Sequence, residues 1–408
     1  MDCLYGVYPG LTPPGSPPHK RRTIPTEDFM SSLDPQSEFS VAELPLITAD
    51  MPGISGTLKS CPEDFVVEEI PAYLPCGEGD HLFLWIEKRS VPADQLGRHL
   101  ANALRIKPRD LGTAGMKDTH AVTRQFVSVP RQAEERLSAI ENDNIRLLNA
   151  TPHRNKLKTG HLKGNRFSIL LRGARCPGQA DDDILPNAQA ITERLRKTGV
   201  PNYFGSQRFG NKNSTLKLGM KLLTEARSQT DAPREAAKPN RRFLHRLALS
   251  AAQSWLFNQI LAERLNDGLS HQLMLGDVMQ VCASGGCFDV RDLAVEQPRF
   301  DARETVIAGP MFGPKMKPTL HEPAIREQRV LQSAGLTMDA FRRFGDLTNG
   351  TRRPLLIWLN DLQVDSTTDG LQFDFSLPSG AYATVVLREF MKIGESESTE
   401  SQTEPEQE

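Results

Sequence analysis

Cysteine is scarce: the 408 residues hold six, at positions 3, 61, 76, 176, 282 and 287, with no Cys-x-x-Cys spacing and no His pair near any of them. That spacing excludes the common zinc sites and a secreted disulfide framework. Cys282 and Cys287 flank Gly285-Gly286 and could face each other across a turn, but reduced thiols are the plainer reading. Long apolar runs are missing too. Nowhere do 18 consecutive apolar residues occur, and residues 1–10 show no basic stretch leading into an apolar one, so neither a membrane helix nor a secretory signal is expected. No Gly-x-Ser-x-Gly elbow is present, which leaves a Ser or Cys hydrolase without support. Net charge is nearly absent as well, 49 Lys and Arg against 51 Asp and Glu giving −2. A soluble protein of a reducing, cytoplasmic compartment is the expectation, with length for roughly two to three domains of about 150 residues.

The near-zero charge is a sum over unlike segments. Residues 1–50 carry three basic and seven acidic residues with eight prolines, a composition that favours extended chain, and a flexible leader is expected over 1–39. Residues 394–408 carry six Glu and no Lys or Arg, which reads as a solvated acidic tail. What remains, residues 51–393, has a net charge of +8. Within it, residues 144–180 hold eight Lys and Arg, His153 and His161, and no acid. Such a field suits a polyanion, although a solvated loop or edge strand would look the same.

Alternating apolar patterns predict strands at 64–69 and 81–88, joined as a hairpin through the turn-rich Pro75-Cys76-Gly77-Glu78-Gly79-Asp80. Further strands are expected at 125–129, 145–148, 167–171 and 371–377, and helices at 93–105, 133–141, 188–198 and 245–266. Residues 381–390 fit strand or helix equally well. Hairpins among alternating elements point to an α/β chain of the α+β kind with a mixed, largely antiparallel sheet and helices packed on it. No internal repeat is evident.

Three stretches carry residues suited to chemistry. Gly115-Met116-Lys117-Asp118-Thr119-His120 sets a carboxylate beside an ammonium between a glycine turn and a strand, where Lys117, or Arg124 from across the loop, can keep Asp118 ionised. A surface ion pair is the alternative. Lys163-Gly164-Asn165-Arg166-Phe167 offers an amide for base edges, cations for phosphate and a ring for stacking, though Phe167 equally suits a core. Pro201-Asn202-Tyr203-Phe204-Gly205-Ser206-Gln207-Arg208-Phe209-Gly210 is dense in rings, amides and glycines, as in a loop that meets a ligand or one that closes a core.

Together these stretches resemble the TruD family of tRNA pseudouridine synthases, whose blocks read Gly-x-Lys-Asp-x-x-Ala-x-Thr-x-Gln, Lys-Gly-Asn-x-Phe and Pro-Asn-Tyr-Phe-Gly-x-Gln-Arg-Phe-Gly. All three occur here in that order, with further matches at 62–69, 77–81, 250–258 and 378–389, so the resemblance covers roughly residues 40–392. It implies a V-shaped molecule with an RNA cleft: a pseudouridine synthase catalytic domain of 40–198 and 357–393, interrupted by a family-specific domain at 199–356. It also implies isomerisation of a uridine in tRNA, position 13 in bacteria, by a monomer without metal, cofactor or membrane. Carried over by position, Asp118 is the catalytic aspartate and Lys117 its basic neighbour. Phe65 and Asn165 are contacts to the target base or its nucleotide, Phe167 is a ring near the pocket, and Gly380 and Tyr382 line the base, with Tyr382 standing where relatives often carry Phe. Lys156, Lys158, Lys163, Arg166 and Arg208 are candidates for the RNA backbone. An RNA-binding or tRNA-folding module, with the modification secondary or lost, is the alternative.

Overall fold

The computed structural model describes residues 39–115, 117–177, 184–225 and 239–392. The acidic tail and all of the leader except Phe39 lie outside them. Strands β1 (Ser55–Thr57), β2 (Phe65–Pro71) and β3 (His81–Arg89) lead to helix α1 (Ala93–Leu104), then β4 (Gly112–Thr113), β5 (Val122–Pro130), β6 (Ile145–His153) and β7 (Leu162–Arg175). After α2 (Ile184–Thr198) come β8 (Val200–Pro201), α3 (Ser214–Thr224), α4 (Pro239–Asn266), β9 (Val278–Val281), β10 (Cys287–Asp289), α5 (Leu293–Asp301) and β11 (Thr305–Met311). The chain continues through α6 (His321–Ser333), α7 (Met338–Arg342), β12 (Thr351–Pro354) and β13 (Leu356–Ile357), and ends with β14 (Gln363–Thr367), β15 (Gly370–Pro378) and α8 (Ala383–Met391).

The large sheet runs β14-β15-β7-β2-β5-β3-β6, with β1 beside β7 and β4 beside β5. Only β2 and β5 pair in parallel, so the sheet is mixed and largely antiparallel, as expected. The hairpin expected between 64–69 and 81–88 does not form, because β5 lies between β2 and β3. A turn-rich sequence marks where the chain reverses, not which strand it pairs with next. Residues 133–141, expected as an α-helix, are drawn into the 3-10 turns of Arg131–Ala139, and the ambiguous 381–390 is helical in α8.

Period-two alternation decides which side chains enter the core. On β2 it buries Phe65, Val67 and Glu69, and on β3 Leu82, Leu84, Ile86 and Lys88. Two of these seven are charged, and both bear on the site. One face of β3 packs with Leu96, Leu100 and Leu104 of α1. The other main cluster runs without a break from Phe65, Phe167 and Phe375 of the large sheet to Trp255, Phe312 and Phe341. In it α4 is buried all round over residues 251–262, each large apolar side chain there stabilising by about 1.5–3 kcal/mol.

The segment between α2 and β14 forms its own four-stranded antiparallel sheet, β10-β9-β11-β12, around the fully buried β11. Its entry and exit strands pair with each other, Pro201 with Leu356 and Val200 with Ile357. Residues 39–54 are tied to the last helix: Arg388 donates to the carbonyls of Val41, Ala42, Leu44 and Pro45, and Glu389 accepts from Thr48. Phe39, counted with the leader, packs edge-on against Phe209 and Trp255.

Candidate active site

The site forms where β2, β5 and β7 meet. Glu69 on β2 lies directly opposite Asn165 on β7. Into this face reaches Lys117, from the loop between β4 and β5. Its ammonium stands 3.1 Å from the Glu69 carboxylate and donates to Asn165 Oδ1 at 2.6 Å. The Lys117 and Glu69 side chains are only 3% and 1% exposed, so burial is the leading influence on both, pushing the lysine down and the glutamate up. Gly164, one residue before Asn165, leaves no room for a side chain: a Cβ there would sit 2.2 Å from the Leu377 carbonyl oxygen. That close approach seats Asn165 between Glu69 and Leu377 on the neighbouring strands.

Asp118, the next residue, is half-buried at 33%. The expectation that Lys117 or Arg124 faces its carboxylate needs correction. Lys117 is turned to Glu69 and Asn165, and Arg124 is held by Glu87 at 2.9 Å and Glu68 at 3.4 Å. The cation beside Asp118 is Lys59, 3.9 Å from its carboxylate and 4.1 Å above the Phe65 ring. Lys117 and Asp118, though consecutive, therefore face different partners. Phe65 and Phe167 are 2% and 5% exposed and stack edge-on at 6.1 Å, with Phe375 behind Phe167 at 5.5 Å. They form an aromatic floor rather than an open platform.

A second cluster brings the Asn202–Phe204 block to the end of β15. Arg353 of β12 lies 4.1 Å over the Phe204 ring and donates to Asn202 Oδ1 at 2.5 Å and to the Gly380 carbonyl at 2.9 Å. Burial pushes its guanidinium down to about 10. Arg208 approaches the same ring at 5.5 Å and is held by the hydroxyls of Ser250 and Ser254. The Tyr382 ring meets Phe204 edge-on at 6.1 Å, and a Cβ on Gly205 would come within 3.1 Å of that tyrosine. The Gly380 turn is also anchored to the Asn165 strand, through Ser379 N–H to the Lys163 carbonyl.

The basic stretch is less free than its composition suggests. Arg154 pairs with Glu78, Arg172 with Asp64 and Asp369, and Lys156 donates to the Arg109 carbonyl. Lys158, Lys163 and Arg166 are exposed and form no ion pair among the described residues. Among the same residues no group of three His, Cys, Asp or Glu could hold a metal, and no helix is long and apolar enough to cross a membrane.

Lys59, Glu69, Lys88 and Arg353 were not singled out from the sequence as site residues. Glu69 and Lys88 could have been, because a charge in the buried register of an apolar strand is out of place. Nothing in the sequence points to Arg353, 151 residues away from Asn202.

The fold is that of a pseudouridine synthase. It matches the crystal structure of a tRNA pseudouridine synthase D (TruD) from Methanosarcina mazei with a TM-score of 0.67 at 22% identity, covering 86% of this chain and 97% of that one. The chain belongs to the TruD family: the family model described as tRNA pseudouridine synthase D (TruD) matches residues 42–229 and 217–390. Relatives named tRNA pseudouridine synthase D include one from Anaeromyxobacter dehalogenans, 41% identical over 88% of this chain and 99% of its own. Another, from Thermus thermophilus, is 38% identical over 90% of this chain and 98% of its own.

Proposed function

We propose that this protein isomerises a uridine of tRNA, the bacterial-type uridine 13, to pseudouridine, with Asp118 as the reacting group. Family membership and the relatives' shared name support the reaction and the tRNA substrate. The observation that carries the residue assignment is a half-exposed carboxylate held beside Lys59 at 3.9 Å, over an aromatic floor and next to the buried Lys117–Asn165 pair. The reaction breaks the C1'–N1 and C5–H bonds and forms C1'–C5 and N1–H, the C5 proton leaving to solvent and one being taken up at N1, with no net oxidation. An ionised carboxylate suffices, either bonding covalently to the ribose or base or taking the C2' proton.

The uridine must leave its stack, at a cost of a few kcal/mol. Asn165 reads its edge, the Phe65 and Phe167 rings floor the pocket, and Gly380 and Tyr382 close it from the C-terminal side. Lys158, Lys163 and Arg166 are placed for phosphates, with Lys156 and Arg208 contributing from within their own hydrogen bonds. The catalytic unit comprises 40–198 and 357–393 and the inserted unit 199–356, and the pairing of β8 with β13 at the two crossings supports this division.

Turnover is measured by tritium release from tRNA carrying 5-tritiated uridine. Asp118→Asn should retain tRNA binding and lose turnover by on the order of 10^4-fold. Near-normal turnover in that variant sinks the assignment. Mapping pseudouridine in total RNA from cells with and without the protein tests the target. Tight tRNA binding with no isomerised uridine would favour the RNA-folding reading instead.

A further inference from the structure

Lys88 is fully buried, 0% exposed, in the core register of β3 behind Leu82, Leu84 and Ile86. Unlike Lys117, it has no carboxylate within ion-pair distance among the described residues. Its ammonium donates instead to two main-chain carbonyls, those of Val91 and Asp118, each at 2.7 Å. Burying a cation with only neutral acceptors is expensive, and an apolar residue in the same register is often neutral or stabilising. Stability therefore gives no reason for a lysine here, whereas its partner does. Asp118 sits in the irregular loop between β4 and β5, without a ladder bond of its own to fix it.

We propose that Lys88 is a positioning residue of this site: it clamps the main chain of Asp118 to the end of β3 and sets a positive charge behind that residue's carboxylate. The inference rests on the reading of Asp118 as the reacting group. Fixing the Asp118 carbonyl fixes the direction in which its side chain leaves the backbone, and so the geometry offered to the nucleotide. The charged groups acting on Lys88 are Asp118, which favours its charge, and Lys117, which opposes it. Its cross-strand neighbours on β5 and β6, Thr123 and Ile145, are uncharged. Burial leaves the ammonium at about 8, so it still carries most of its charge at neutral pH.

The test compares Lys88→Met, which removes the donors and the charge at similar volume, with Lys88→Arg, which keeps both. The methionine variant should bind tRNA with unchanged KM while kcat falls on the order of a hundredfold. The arginine variant should recover part of kcat. A folded methionine variant with kcat within about twofold of the parent overturns the proposal.

Should the methionine variant not fold, the parent and Asp118→Asn proteins carry the test through lysine side chains labelled with carbon-13 and nitrogen-15. The Lys88 signal should titrate near 8 in the parent and lower without the Asp118 carboxylate. A Lys88 that titrates at the ordinary lysine value and ignores the substitution overturns the clamp. A parent protein that forms no pseudouridine would sink the function proposal instead, and the titration would still read the coupling of Lys88 to Asp118.

Discussion

Lys117 in the site and Arg353 at the junction are cations held in opposite ways. At the first, ammonium meets carboxylate, Lys117 with Glu69. At the second, two guanidinium groups flank one phenylalanine and are held by carbonyl, amide and hydroxyl oxygens. Paired charge leaves little field around it, whereas charge held by neutral acceptors keeps its field.

The largest effect expected from breaking this contrast is on stability. Glu69→Gln leaves Lys117 buried without its carboxylate and should cost about 3–5 kcal/mol in urea unfolding, while the double variant Glu69→Leu with Lys117→Met recovers most of it. A loss under about 1 kcal/mol in the single variant would show that the pair is not held as described. At the junction, Arg353→Ala removes charged hydrogen bonds of about 1.5–3 kcal/mol and should lower kcat/KM for tRNA between roughly tenfold and a hundredfold. Arg353→Lys cannot span Asn202 and Gly380 together and should recover little.

A smaller, sharper test uses pH. Lys88 and Lys392 are both pushed by burial from 10.5 to about 8, so between those values the unfolded chain binds more protons than the folded one. Stability should therefore rise with pH from about 8, by at most about 1.4 kcal/mol per pH unit for each lysine. Tyr203, whose hydroxyl burial pushes above its ordinary value of 10, turns the trend down at still higher pH. Flat or falling stability between pH 8 and 10 contradicts this. The smallest effect belongs to the surface: Lys156→Glu with Lys158→Glu should weaken tRNA binding several-fold and flatten the slope of log affinity against log salt by about one unit per lysine. An unchanged slope removes that segment from the interface.

Much of the large sheet was legible because period-two alternation is local: residues 81–88 and 371–377 each lie within an observed strand, and all of 64–69 but Asp64 lies in β2. Pairing was not, since β5 takes the place beside β2 that the next strand in sequence was expected to fill. Asp118, Lys117 and Asn165 were legible as members of short motifs, but the partners of their charges were not. Which of Lys59, Lys117 and Arg124 faces Asp118 depends on strand order, and strand order depends on contacts between distant segments. Arg353 shows the limit most clearly, since its acceptors at 202 and 380 come from either side of it in the chain.

The meeting of β8 with β13 has a consequence for how such a chain could have arisen. Everything from Pro201 to Leu356 enters and leaves through a doorway one strand pair wide. A host sheet senses the length of such an excursion only logarithmically, because closing a longer loop adds little entropy once its ends already meet. Exchanging the excursion would nonetheless open the core it shares with the rest of the chain, since Phe209 and Trp255 cover Phe39 and Phe204 meets Tyr382, and it would forfeit Arg353, the one described hydrogen-bonding side chain from inside it that grips the Gly380 carbonyl.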